Sequence, residues 1–350
     1  MEKIIDPIDV NLLKAELTPE KKLCNTNKAG NEIYVIDCHD SPNVLREVGR
    51  LREVSFRPTG ACSCTSCDLD EFDFLEKPYK QIIIWDPDAE AIIGGYRYIL
   101  GPDVIIKENG QPHLSTAHLF HFSEKFVKDY LPHVIELGRS FVTPEYQSSK
   151  AGAKAIFALD NLWDGIGAVM MQHPGIHYFF GKATLFLDWD KSCRDLLEYF
   201  MWKHFPDKDE LVRPIVPVKA VSAPNLLGLI LDEDEFKPDY KKFKDAVRRL
   251  GGVVPPLVNS YINISPTTRM LGIAANDELN NAEEMGILVC FNEMYADKRD
   301  RHKEPYLKNL LGKIAKRFPH LTEKEQNRFL DSREEKSKKL FSRFKQKVKK

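Results

Sequence analysis

Ile135-Glu136-Leu137-Gly138-Arg139-Ser140-Phe141-Val142 sets one carboxylate, one guanidinium and one hydroxyl in an otherwise apolar strand, and the chain runs on through Thr143-Pro144-Glu145-Tyr146-Gln147 into Ser148-Ser149-Lys150-Ala151-Gly152-Ala153. The last run reads as a helix start with small side chains. Its unpaired backbone N–H groups can approach a phosphate closely, and Ser148 or Ser149 suits the N-cap. The layout suits an enzyme that grips a phosphate-bearing acyl carrier while a nearby carboxylate handles an amine. An α-amino group is mostly protonated at neutral pH, so a nearby carboxylate that accepts its proton is useful. Glu136 is the expected base. Arg139 either holds a substrate carboxylate or pairs with Asp70 or Asp73. Three residues along a strand, it faces away from Glu136 unless a bulge intervenes.

These residues need a scaffold. Glu32–Asp37 reads as a strand and Asn43–Phe56 as an amphipathic helix stopped by Pro58. Gln81–Trp85 and Ala91–Leu100 flank the turn Asp86-Pro87-Asp88 and are expected to pair as a hairpin. Val134–Val142 is a strand, Ala153–Gln172 a long helix, Ile176–Phe180 a buried strand and Lys191–His204 another helix. This mixed order lacks the regular alternation of a doubly wound sheet. Beyond residue 205 a helix over Asp239–Leu250, a short helix over Pro256–Ile264 and a strand over Gly286–Phe291 are expected. Leu307, Leu310, Leu311, Ile314 and Phe318 share one face of a helix ended by Pro319, and Thr322 with Glu325 forms a capping box for the next.

The 350 residues are 43% hydrophobic, enough for a sizeable core, and the net charge is only -1. That balance hides an asymmetry. Residues 301–350 carry 17 Lys+Arg against 6 Asp+Glu, while the preceding 300 carry 34 against 46. A basic tail bearing the stripe Leu340, Phe341, Phe344 and Val348 suits an anionic surface, such as a bilayer or an acidic carrier protein. Seven cysteines and an N-terminus without a basic-then-apolar layout point to a reduced cytosolic compartment without disulfides. Cys62-x-Cys64-x-x-Cys67 lacks a fourth ligand at a familiar spacing, so no metal is expected. His204 and Asp209 fit an O-acyltransferase spacing without its other motifs, and Asp232-Glu233-Asp234-Glu235 reads as a solvated loop.

Four segments in order resemble the ornithine/glycine N-acyltransferase family, a GNAT-fold group related to acyl-homoserine lactone synthases and often labelled hemolysin. They are Leu51-Arg52-Glu53-Val54-Ser55-Phe56, Asp68-Leu69-Asp70-Glu71-Phe72-Asp73, Gly94-Gly95-Tyr96-Arg97 and Glu136-Leu137-Gly138-Arg139-Ser140-x-Val142. Leu257–Asn292, with Ser260-Tyr261, Gly272 and Asn276-Asp277, resembles the family's C-terminal substrate half. The likeness covers roughly residues 33–295.

The resemblance implies a twisted, mixed GNAT-like sheet flanked by helices. The expected layout is an N-terminal arm (1–32), a catalytic domain (33–300, with the GNAT core at 33–182 and the substrate half at 183–300) and a basic helical tail (301–350). It implies transfer of a 3-hydroxyacyl chain from acyl carrier protein to the amino group of glycine or ornithine, the first step of aminolipid synthesis. Glu136 and Arg139 are the expected catalytic residues. Arg52, Asp70, Asp73, Arg97 and Ser140 are expected at the substrate, with the acidic loop as the alternative partner of Arg52. Val142, Gln147, Lys150, Ala151, Gly152 and Ala153 are expected at the phosphopantetheine arm. One offset glycine stands where GNAT enzymes usually carry Arg/Gln-x-x-Gly-x-Gly/Ala, which favours a single phosphate over coenzyme A. The expected location is cytoplasmic, peripheral on the inner membrane face, with no nucleic-acid partner. Rival readings are a signal synthase acylating another amine and a non-catalytic membrane-binding protein.

Overall fold

A computed structural model describes residues 1–147, 157–185, 189–279 and 282–348. Among the described residues the strands are, in chain order, β1 (Lys22–Asn25), β2 (Glu32–Ile36), β3 (Lys80–Asp86), β4 (Ala91–Leu100), β5 (Phe120–Phe122), β6 (Val134–Val142), β7 (Tyr178–Leu185), β8 (Val212–Pro214), β9 (Arg269–Asn276) and β10 (Ala282–Cys290). Among the helices are α1 (Val10–Glu16), α2 (Pro42–Phe56), α3 (Ala158–Gln172), α4 (Lys191–His204), α5 (Pro224–Ile230), α6 (Phe236–Arg249), α7 (Pro256–Ile262), α8 (Ala296–Arg317) and α9 (Glu323–Val348). The chain forms two compact units, one of residues 1–103, 133–177 and 296–350, the other of residues 104–132 and 178–295.

In the first unit β1, β2, β3, β4 and β6 pair antiparallel in that order. The alternation of β3 sends Ile83 and Trp85 to one face, where they join Val44, Leu45, Val48 and Leu51 of α2 and Leu13 of α1. Ile82 points to the other face, against Gly165 of α3. There α3 also meets α8, where His302 Nδ1 lies 2.8 Å from Asp164 Oδ1. The first thirty residues and the basic tail both fold into this unit. Thr322 and Glu325 form the capping box, with the Thr322 N–H donating to Glu325 Oε2 at 2.8 Å.

The tail's apolar stripe is packed, not presented outward. Phe344 is buried, and Phe341 and Phe344 lie edge-on or tilted against the stacked imidazoles of His133 and His177. The outward face of α9 carries Lys336, Lys338, Lys339, Arg343, Lys345 and Lys347. No helix among the described residues is long and apolar enough to cross a membrane.

The second unit holds a β7-β10-β9 antiparallel sheet and a β5–β8 ribbon. Phe120, Phe122, Phe126 and Phe180 interlock beside it, and Phe200, Phe205, Phe236, Tyr240 and Phe243 join α4 to α6. The expected strand at Gly286–Phe291 begins earlier, at Ala282, because its whole length is paired on both sides. Cys62 and Cys64 form a disulfide, contrary to the expectation of none. The described residues hold no cluster of three metal-ligating side chains. His204 pairs with Asp239, whereas Asp209 pairs with Lys125 and Arg269, so the two do not form a dyad.

Candidate active site

The ladder between β4 and β6 carries the feature that arranges the site. Gly95 pairs with Phe141 and Arg97 with Gly138, so Arg139 and Ser140 together stand opposite Tyr96 alone. This is a β-bulge, and Arg139 occupies its left-handed position at φ 48°. A side chain there costs roughly 1–2 kcal/mol relative to glycine's freedom, a strain the surrounding ion pairs must outweigh. The extra residue resets the alternation, and Arg139 lies on the side of Arg97 and Glu136. Gly94 permits the close approach of the two strands: a Cβ there would sit 2.4 Å from the Phe141 carbonyl oxygen.

On that side lies a dense electrostatic cluster. The loop Asp68–Asp73 ends in a short turn capped reciprocally by Asp70 and Asp73. Arg97 donates to Asp70 Oδ1 at 2.6 Å and to Asp73 Oδ2 at 3.2 Å, and lies over the Tyr79 ring at 5.0 Å. Arg139 donates to Asp70 Oδ2 at 3.2 Å and lies 3.4 Å from Asp68 Oδ1. Arg52 reaches up from α2 to Gln81 Oε1 at 2.5 Å, with Asp73 at 3.8 Å. The Tyr79 hydroxyl donates to Glu136 Oε2. Three guanidinium groups thus face four carboxylates, leaving one carboxylate in excess.

Burial orders the electrostatics. For Asp70 burial raises the pKa, but Arg97 and Arg139 outweigh it and hold the carboxyl below its ordinary value. Arg97 loses to burial and gains more from Asp73 and Asp70, so its pKa rises. In Arg52 burial wins over Asp73 and Asp68, and the pKa falls to about 10.

The expected site residues divide accordingly. Glu136, Arg139, Arg97, Asp70 and Asp73 come together. Arg52, left open in sequence between the substrate and the acidic loop, is 0% exposed and donates to the Asp68 carbonyl oxygen of that loop at 3.4 Å. Glu136 is 1% exposed, whereas Arg139, at 30%, is the cluster's open cation. Ser140 and Val142 are half-buried on β6, and Gln147 donates to the Val142 carbonyl oxygen at 2.7 Å. Lys150, Ala151, Gly152 and Ala153 lie outside the described residues. Sequence reasoning missed Tyr79, Gln81 and Asp68 as members of the cluster. The available signal was Gln81, a polar side chain opening the apolar run Ile82-Ile83-Ile84-Trp85 directly across from Arg97.

The acetyltransferase (GNAT) domain family matches residues 51–155, which contain this cluster. A protein of Phocaeicola vulgatus named glycine N(alpha)-acyltransferase is 52% identical over 308 residues, 88% of this chain and 94% of that one. One of Bacteroides thetaiotaomicron with the same name is 50% identical over 309 residues, 88% and 92% of the two chains. A solved acyl-homoserine lactone synthase, BjaI, covers 79% of this chain and 90% of its own at 14% identity and a TM-score of 0.35, too distant a likeness to carry weight. With two relatives at half identity across nearly their full lengths, the chain belongs to the glycine N(alpha)-acyltransferase family and is a GNAT-fold acyltransferase.

Proposed function

We propose that this N-acyltransferase moves a long 3-hydroxyacyl chain from the phosphopantetheine arm of acyl carrier protein to the amino group of glycine, giving the monoacyl precursor of a glycine-containing lipid. The amine nitrogen attacks the thioester carbon, the C–S bond breaks, and the thiol leaves. One proton of the ammonium passes to Glu136, whose carboxylate is buried on β6, and a second, lost from nitrogen after attack, goes to the departing thiolate to give the thiol. Arg139, the most accessible of the three arginines in the cluster, attracts anionic groups. The single phosphate is assigned on sequence alone to the small-residue run that follows Gln147, which lies outside the described residues. The outward basic face of α9 lies on an anionic inner membrane surface, where the amphiphilic product belongs.

The observation that supports this most is the near full-length identity to proteins named for acylation of glycine. The test is an acylation assay with purified protein, glycine or ornithine as acceptor, and 3-hydroxyacyl carrier protein or the matching coenzyme A ester as donor, read by mass spectrometry. N-acylglycine formed preferentially from the carrier-bound donor is the expected product. Equal or faster turnover of the coenzyme A ester refutes carrier dependence, and acylornithine as the main product refutes the acceptor assignment.

A further inference from the structure

We infer that Lys182, Thr184, Asn276 and Glu284, all in the second unit, form the site that recognises the acceptor's ammonium and carboxylate. This rests on the proposed transfer to an amino acid and adds the residues that would select it. Glu284 stands opposite Thr184, and Lys182 opposite Gly286, in the β7–β10 ladder. Asn276 stands opposite Ala282 in the β9–β10 ladder. Cross-strand partners and residues two apart share a face, so the four side chains gather on one side of this sheet.

Glu284 is fully buried and accepts from three donors: the Lys182 ammonium, the Thr184 hydroxyl at 2.9 Å and Asn276 Nδ2 at 3.2 Å. A carboxylate accepts only, so it fixes the Asn276 amide with nitrogen toward Glu284 and oxygen away. Asn276 is 4% exposed, and that oxygen is buried with no hydrogen-bond partner among the described residues. A buried acceptor left this way is costly unless a donor arrives.

A purely structural role for Lys182 and Glu284 explains their ion pair but not the amide oxygen held beside it. Lys182 and Thr184 are partly exposed, and an ammonium has three donors, of which Glu284 takes one. The cluster therefore offers a desolvated acceptor and a carboxylate for N–H donors, next to a cation for an anionic oxygen. An α-amino acid carries both complementary groups on adjacent carbons. A neutral acyl chain satisfies neither the cation nor the carboxylate.

The test uses the full chain, with glycine affinity measured by calorimetric titration and glycine KM by steady-state assay, for Asn276→Leu, Lys182→Met and the milder Thr184→Val. Melting temperatures confirm folding. Asn276→Leu and Lys182→Met are expected to weaken glycine binding about tenfold or more, with the acyl-donor KM unmoved. Folded variants with wild-type glycine affinity overturn the assignment. So does a changed preference between 3-hydroxyacyl and unsubstituted acyl donors at constant glycine affinity, which would place the acyl hydroxyl here. A wild-type protein that acylates a different amino acid refutes the glycine reading alone. The variants are then expected to weaken that acceptor equally.

Discussion

Asp70 gives one carboxylate oxygen to each of two arginines: Oδ1 accepts from Arg97 at 2.6 Å and Oδ2 from Arg139 at 3.2 Å. The two cations differ in exposure, 3% against 30%. Arg97 also holds Asp73, fully buried beside it.

Removing Arg97 strands two carboxylates. Arg97→Ala is expected to cost about 3–5 kcal/mol, the range for breaking a buried pair, and to unfold the acidic loop. Arg139→Ala removes a half-open partner, so its stability cost is expected near 1 kcal/mol or less, while acyl transfer falls at least tenfold. Denaturant melts and turnover measured on both variants check the split. Equal stability losses would make Arg139 another brace.

Glu136→Gln keeps size and shape but cannot accept a proton. Acyl transfer is expected to fall about 10²–10⁴-fold with the melting temperature nearly unchanged. Tyr79→Phe, which removes the hydroxyl donating to Glu136, is expected to shift the acidic limb of the pH–rate profile upward, since a carboxylate losing a donor is a stronger base. Wild-type turnover in Glu136→Gln would make Glu136 structural and move the base elsewhere.

Gly94→Ala is expected to cost about 1–3 kcal/mol, as overpacking does, because its new methyl group meets the Phe141 carbonyl oxygen rather than a movable side chain. Strand β6 would shift at Phe141 and Val142, next to the bulge at Arg139 and Ser140, so the acyl-donor KM should rise along with the loss of stability. Thermal denaturation and donor titration report the two effects.

His177 couples the tail to pH. Burial and the neighbouring His133 lower its pKa from 6.5 to about 4. The unfolded chain therefore binds more protons between those values, and stability falls as pH drops from about 6.5 toward 4, by about 3 kcal/mol in all. Because Phe341 and Phe344 cover this imidazole, α9 is expected to lose hydrogen-exchange protection over the same window. His177→Phe should flatten the pH dependence. An unaltered acid limb in that variant would assign the loss to other groups.

The hairpin of β3 and β4, strand β6 and helices α2 and α4 were legible because their periodicities are strong, whereas helix Val10–Glu16 and strand Phe120–Phe122 were not. Glu136 and Arg139 stood out as charged types in an apolar strand, and Arg97 and the acidic loop only through the family resemblance. The short edge strand Lys22–Asn25 was not legible, since four residues show no period. Strand Arg269–Asn276 was hidden by Gly272 and its alanines, whose small side chains blur the alternation. The side of the sheet taken by Arg139 was likewise open in sequence, where three residues' spacing argues for the face opposite Glu136. Only the bulge, a register property of β6 against β4, turns it back. Arg52 showed the same limit: its charge was visible along the chain, but burial, set by packing among distant segments, assigned it to the loop. The tail's apolar stripe was read correctly as amphipathic, yet its partner, the His133–His177 stack, lies some two hundred residues away and exists only in the folded chain. Residue type and local period are written in sequence; face, depth and partner come from long-range pairing.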